Sequence, residues 1–188
     1  MSLIIGLTGE NGGGKGTFID FLKHIAVGKT VERIASSQLL GETLDLWDIK
    51  RTRRALQDLA IVMDGHYGKG TLTHAVQKRI EASQADIVIF DGVRWQTDEE
   101  MILSFPQNLM VYVTSDLKIR YERTKARKEK IGEATTSFEQ FLDEEKIGTE
   151  LEIAKIGARA DIKIEHNGSL DEYRKMIERV YRESILVQ

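Results

Sequence analysis

The sequence predicts a doubly wound α/β fold, a five-stranded parallel sheet with helices on both faces. Three observations lead there. Short apolar runs, clearest in Ile87-Val88-Ile89-Phe90, are uninterrupted rather than alternating, as in parallel strands covered on both sides. Stretches of helical spacing separate these runs, so that strand and helix alternate along the chain. The first apolar run, Leu3-Ile4-Ile5-Gly6-Leu7, leads through a glycine-rich turn into a helix carrying Phe18, Phe21, Leu22 and Ile25 on one face. With 188 residues and no linker, repeat or low-complexity tract, one domain over residues 1–188 is expected.

Strands are expected at 3–7, 31–35, 86–91, 109–113 and 161–165. Helices are expected at 15–27, 36–47, 49–63, 69–84, 97–104, 116–130, 137–157 and 169–182. The helix at 97–104 is marked by its acidic start, Asp98-Glu99-Glu100, and the strand at 109–113 follows the single proline, Pro106. Ser137 with Gln140 forms a capping box before a helix whose apolar face runs from Phe138 and Phe141 to Ile156. The last strand, Asp161-Ile162-Lys163-Ile164, gives way to His166-Asn167-Gly168-Ser169, a turn in which Ser169 is placed to cap the final helix.

Composition narrows the function. With 27 basic and 30 acidic residues the formal charge is −3, so no nucleic-acid arm or acidic tail is indicated. No apolar run approaches a membrane span or a secretory h-region, and a cytoplasmic protein is expected. Without cysteine there are no disulfides, thiolate metal sites or cysteine nucleophiles. The histidines (His24, His66, His74 and His166) show no metal-ligand spacing. Oligomeric state cannot be read from any of these features.

The glycine-rich turn carries the chemistry. Residues 9–17 read Gly-Glu-Asn-Gly-Gly-Gly-Lys-Gly-Thr between a strand and a helix, the context that gives a phosphate-loop pattern physical meaning. Glycines let several backbone N–H groups point into one small volume, and a helix N-terminus adds partial positive charge. Lys15 supplies a full charge where a β- or γ-phosphate would sit. Gly9, Asn11, Gly12, Gly13, Gly14, Lys15, Gly16 and Thr17 are therefore the expected ATP-phosphate site.

Asp91 ends the most apolar strand and opens Asp91-Gly92-Val93-Arg94. It is placed either to hold Mg²⁺ directly or through water, or to cap the following turn. Arg94 offers a planar fork suited to a phosphate in the crevice. Farther on, Arg120, Arg123 and Arg127 fall on one helical face within a strongly basic stretch. That face is either solvated surface or the wall of a small lid over about 120–137 that shields transferring phosphate from water.

In the form Gly-x-x-Gly-x-Gly-Lys-Gly-Thr the loop resembles the adenylate-kinase branch of the nucleoside monophosphate kinases, departing at Asn11, where those commonly have proline. The resemblance implies a P-loop kinase in which Thr17 lies near the α/β-phosphates and Mg²⁺ is held largely through water, with Thr17 and Asp91 on the metal side. Asp91-Gly92-Val93-Arg94 is similar to phage-type deoxynucleoside monophosphate kinases and to an archaeal adenylate-kinase-like group, and implies Arg94 on the acceptor's phosphate. Thr52-Arg53-Arg54-Ala55-Leu56-Gln57 is similar to the acceptor-side element of the phage-type kinases and implies Arg53 or Arg54 toward the acceptor, within a helical insertion of about 36–84. Ser37 follows the second strand, where acceptor contacts are usually made. Arg123 and Arg127 match the family's transition-state arginine pair, and Asn167-Gly168 its loop over the nucleotide base.

The implied activity is transfer of the γ-phosphoryl group of ATP·Mg²⁺ to a (deoxy)nucleoside monophosphate. A dephospho-coenzyme A kinase shares the opening Ile5-Gly6-Leu7-Thr8-Gly9 and the closing Asn-Gly, but has Ser directly after the loop lysine, where Gly16 stands here. The other alternative is a nucleotide-binding ATPase switch serving a protein partner.

Overall fold

The computed structural model describes residues 1–127, 137–145 and 148–187. Five strands form one parallel sheet: β1 (Leu3–Thr8), β2 (Val31–Ile34), β3 (Ile87–Asp91), β4 (Asn108–Thr114) and β5 (Ile162–Glu165), in the spatial order β2-β3-β1-β4-β5. All five expected strands are present within a residue of their expected ends. The first strand is central, every residue of it is buried, and the chain leaves it for β2 on one side and later for β4 on the other. The crevice beyond the carboxyl ends of β1, β3 and β4 is where such sheets bind ligands.

Helices cover both faces. On one side Phe18, Ile19 and Leu22 of α1 (Lys15–Ile25) and Tyr173, Ile177 and Val180 of α9 (Leu170–Val180) pack on Ile5, Leu7, Ile89, Val111 and Val113. On the other, Ile4, Val88, Phe90 and Met110 meet Val76 and Ile80 of α4 (Thr71–Glu81), Met101 and Ile102 of α5 (Gln96–Leu103), and Ile156 of α8 (Gly148–Arg159). Each buried large side chain of this kind contributes about 1.5–3 kcal/mol. The uninterrupted apolar runs thus reflect burial on two faces, as their composition required.

Between β2 and β3 lie α2 (Ser36–Leu46), α3 (Arg53–Tyr67) and α4. The expectation of a helix over 49–63 is displaced: Thr52 accepts the Ala55 N–H at 3.1 Å and sets the start at Arg53, while Gly68, at φ 104°, stops the helix after Tyr67. Of the helix expected over 137–157, the described residues form α7 (Phe138–Glu145) and α8, and residues 146–147 lie outside the described residues. The Ser137–Gln140 capping box is formed, with the Gln140 N–H on Ser137 Oγ at 3.1 Å and the Ser137 N–H on Gln140 Oε1 at 2.8 Å. Ser169 caps α9 reciprocally with Glu172. The basic helix is α6 (Leu117–Arg127), and the expected lid segment after it, residues 128–136, lies outside the described residues.

Candidate active site

The glycine loop folds over the carboxyl end of β1 and is pressed against β4 and α6. A Cβ on Gly9, whose φ is +151°, would lie 2.1 Å from the Val113 carbonyl oxygen, and one on Gly12 would lie 2.4 Å from that of Arg120. Only glycine lets the backbone pass there. Gly14 is the N-cap of α1, so the amides of Lys15, Gly16 and Thr17 begin the helix among its unpaired N-terminal donors. Lys15 Nζ reaches back across the loop to the carbonyl oxygens of Gly9 at 2.5 Å and Glu10 at 3.0 Å. The ammonium and the helix start thus belong to one short loop, an arrangement of the kind that suits an anion.

The Glu10 side chain is turned elsewhere. It is buried and accepts the Tyr112 hydroxyl on Oε1, while burial and this carboxylate push the Tyr112 phenol up to about 12. Behind the loop, Tyr173 Oη donates to the Gly14 carbonyl at 3.1 Å and its ring stacks on His166, centroids 3.8 Å apart and planes 10° apart. His166 is 4% exposed, and neither ring nitrogen has a hydrogen-bond partner among the described residues. Burial and the nearby Arg123 charge pull its imidazole down to about 4, so it is neutral at pH 7.

Arg123 donates to Ser115 Oγ at 2.7 Å and to the His166 carbonyl at 3.0 Å, and burial pushes its guanidinium below the ordinary value. Arg120 is 7% exposed, donating to the Ser115 carbonyl at 3.0 Å and pairing with Glu145 at 2.6 Å. Arg120 is thus buried beside the loop and Arg123 half-buried there. For Arg127 only the backbone is described. Asn167 Oδ1 accepts the Asp116 N–H at 2.7 Å, which ties the Asn167-Gly168 turn to the start of α6.

The turn after β3 lies alongside the loop. The Gly92 and Val93 N–H groups both donate to the Leu7 carbonyl, at 3.0 and 3.2 Å, and Thr8 Oγ1 donates to the Val93 carbonyl at 2.9 Å. From the other side Asp98 Oδ2 accepts the N–H groups of Arg94 at 3.1 Å and Trp95 at 3.2 Å. Burial pushes the Asp98 carboxyl up, against the opposing pull of the Arg94 N–H, the Thr73 hydroxyl and the Trp95 N–H. The Arg94 side chain is exposed. Asp91 Oδ2 is paired with Arg33, Nε at 2.8 Å and Nη2 at 2.5 Å.

The acceptor-side expectations are less converged. Arg54 pairs with Asp58 on an exposed face of α3, 2.8 Å apart, and Ser37 is exposed. Arg51 pairs with Asp45. The Arg53 side chain lies outside the described residues. Sequence reasoning missed Arg33, Asp98, Ser115 and Tyr173. Arg33 is hidden in a strand. The signals for the others are weak: an acid three residues after a turn, a serine at a strand end, and a tyrosine one turn into the last helix.

No family model matches the chain. It is 29% identical over 185 residues to a UPF0200 protein of Sulfurisphaera tokodaii, covering 97% of this chain and 98% of that one. A UPF0200 protein of Saccharolobus solfataricus is 28% identical over 181 residues, with 94% and 91% covered. Among solved structures, TT1252 from Thermus thermophilus superposes with a TM-score of 0.65 at 19% identity, covering 97% of this chain and 98% of that one. A shikimate kinase from Bacteroides thetaiotaomicron gives 0.65 at 15% identity, covering 96% and 97%. One from Acinetobacter baumannii in complex with shikimate gives 0.57 at 15%, covering 98% and 96%. The likeness to these structures is one of fold, a five-stranded parallel sheet with flanking helices.

Proposed function

We propose that the chain is a single-domain cytoplasmic kinase that transfers the γ-phosphoryl group of ATP to a (deoxy)nucleoside monophosphate. The observation that carries this reading is the shared anchorage of two phosphate-directed elements. The Lys15 loop ends β1, and the Arg94 turn is hydrogen-bonded to the last residues of the same strand through the Leu7 carbonyl and the Thr8 hydroxyl. Donor and acceptor phosphates would thus be held by neighbouring strand ends, as in-line transfer requires.

On this reading the loop amides and Lys15 neutralise the β- and γ-phosphates, with Gly9, Asn11, Gly12, Gly13, Gly14, Gly16 and Thr17 shaping the cradle. Arg94 orients the acceptor phosphate, with Ser37 and Arg53 or Arg54 on the acceptor side. Arg123 and Arg127 supply charge to the transition state from α6, and Asn167-Gly168 covers the donor base. A largely dissociative transfer needs no general base, and none is assigned. For Mg²⁺, one Asp91 oxygen is engaged by Arg33, and no group of three His, Cys, Asp or Glu side chains gathers among the described residues. That donor set suits an ion bound mainly by nucleotide phosphates and water, with Thr17 and Asp91 in reach. When bound, the ion would neutralise the negative charge of the phosphates.

A second reading has a specific motive, since the shikimate kinase that superposes on this chain was solved with shikimate, an acceptor without phosphate. One assay separates the readings: ADP release from ATP·Mg²⁺ with nucleoside monophosphates, deoxynucleoside monophosphates, dephospho-coenzyme A and shikimate. A nucleoside monophosphate should raise turnover far above the acceptor-free rate. Turnover only with shikimate or dephospho-coenzyme A would move the acceptor class, and ATP hydrolysis indifferent to all of them would favour a nucleotide switch.

A further inference from the structure

The most heavily engaged buried carboxylate near the crevice belongs to a residue with no assigned role. Asp98 is 5% exposed, and both its oxygens are used. Oδ2 takes the Arg94 and Trp95 N–H groups, while Oδ1 takes the Thr73 hydroxyl at 2.8 Å, from a helix 25 residues earlier in the chain. Thr73 is itself buried, with its hydroxyl 3.2 Å from that of Thr97. An ordinary cap of α5 would need Oδ2 alone and could stand in water. Here the second oxygen is spent on α4, inside the arm between β2 and β3, and the group is buried in spite of the desolvation it suffers.

The turn that Asp98 grips is fixed from the opposite side as well, by the Leu7 carbonyl and the Thr8 hydroxyl. Gly92, at φ +104°, supplies the bend at the first of the two clamps. Arg94 is thus carried on a backbone held by hydrogen bonds to β1 and to Asp98, so that its Cα direction is set relative to the phosphate loop and to the arm at once. Such preorganisation lowers the ordering cost of binding an anion.

We propose that Asp98, together with Thr73, is a positioning pair that aims Arg94 at the acceptor's phosphate and locks the arm to the Arg94 turn. This rests on the reading of Arg94 as the acceptor ligand. It extends that reading by naming what makes the acceptor site rigid.

The test is a mutant cycle with the nucleoside monophosphate turned over fastest in the panel above. Asp98→Asn should raise acceptor KM about tenfold and leave ATP KM within twofold, the scale of losing one charge-assisted hydrogen bond. Thr73→Val, which keeps the shape and the cap, should raise acceptor KM about threefold and serves if Asp98→Asn does not fold. In an Arg94→Ala background both effects should vanish, because there is no guanidinium left to aim. A thermal midpoint measured alongside separates this from general loosening, which would raise both KM values and persist without Arg94. Should Arg94→Ala raise acceptor KM while Asp98→Asn and Thr73→Val add the same factor with or without Arg94, the positioning role is wrong and the acceptor site stands. Should Arg94→Ala leave acceptor KM unchanged, the acceptor reading falls and this inference falls with it.

Discussion

The two sides of the crevice are built differently. The phosphate loop is enclosed: Gly9 lies against Val113, Gly12 against Arg120, and Gly14 is held by Tyr173 and flanked by His166. The arm between β2 and β3 is open by contrast. None of the described side chains of α3 is buried, and Ile61, Val62 and Tyr67 are 69, 60 and 69% exposed. Its ion pairs, Arg54 with Asp58 and Arg51 with Asp45, lie on the surface, where such pairs are worth little. A rigid cradle suits a ligand part common to all nucleotides. A loosely packed arm, held to the sheet through α4 and the Thr73–Asp98 contact, suits the part that differs from one acceptor to another.

This contrast can be broken most forcefully at Gly9. Gly9→Ala forces a Cβ into the Val113 carbonyl at a φ that side chains rarely adopt, and should cost about 3 kcal/mol of stability together with ATP binding. Denaturant unfolding with and without ATP checks this, and a neutral result would mean that the loop is not enclosed. Lys15→Ala should leave the fold intact and lower turnover by roughly 10²-fold, the scale of one preorganised stabilising group. A variant with normal turnover would remove the loop from the chemistry.

His166 sharpens the comparison through pH. Its folded value of about 4 lies below the ordinary 6.5, so the unfolded chain binds a proton that the folded ring refuses. The stability due to the neutral ring is complete above pH 6.5 and is lost as pH falls toward 4, about 2 kcal/mol by pH 5. His166→Phe keeps the stack on Tyr173 and should abolish this loss, leaving only the acid sensitivity of carboxylates such as Asp86 and Glu172, common to both proteins. Parallel stability–pH curves would refute it. The smallest effect belongs to the arm: Ile61→Ala should change stability by no more than about 0.5 kcal/mol. A large loss there, read in the same unfolding experiment, would mean that the arm is packed after all.

What was legible in the sequence follows the same divide. Gly9, Gly12 and Gly14 announced themselves because their positive φ angles favour glycine, and Ile87 to Phe90 because two-sided burial leaves no polar residues. The surface of α3 imposes neither constraint, so its start was misplaced by four residues, from 49 to Arg53. The partners of Asp91 and Asp98 were unreadable for another reason. Arg33 and Thr73 are brought to them by strand order and helix docking, across 58 and 25 residues of chain, with no local pattern to mark them.

The bond from Tyr173 to Gly14 spans 159 residues. The loop is made well before α9, so during synthesis the cradle precedes the helix that backs it. Contacts of such long sequence separation form late and slow folding. The earliest piece of the binding machinery to be made is thus the latest to be finished, and a chain cut before α9 would carry the loop's full sequence without the helix that seats it.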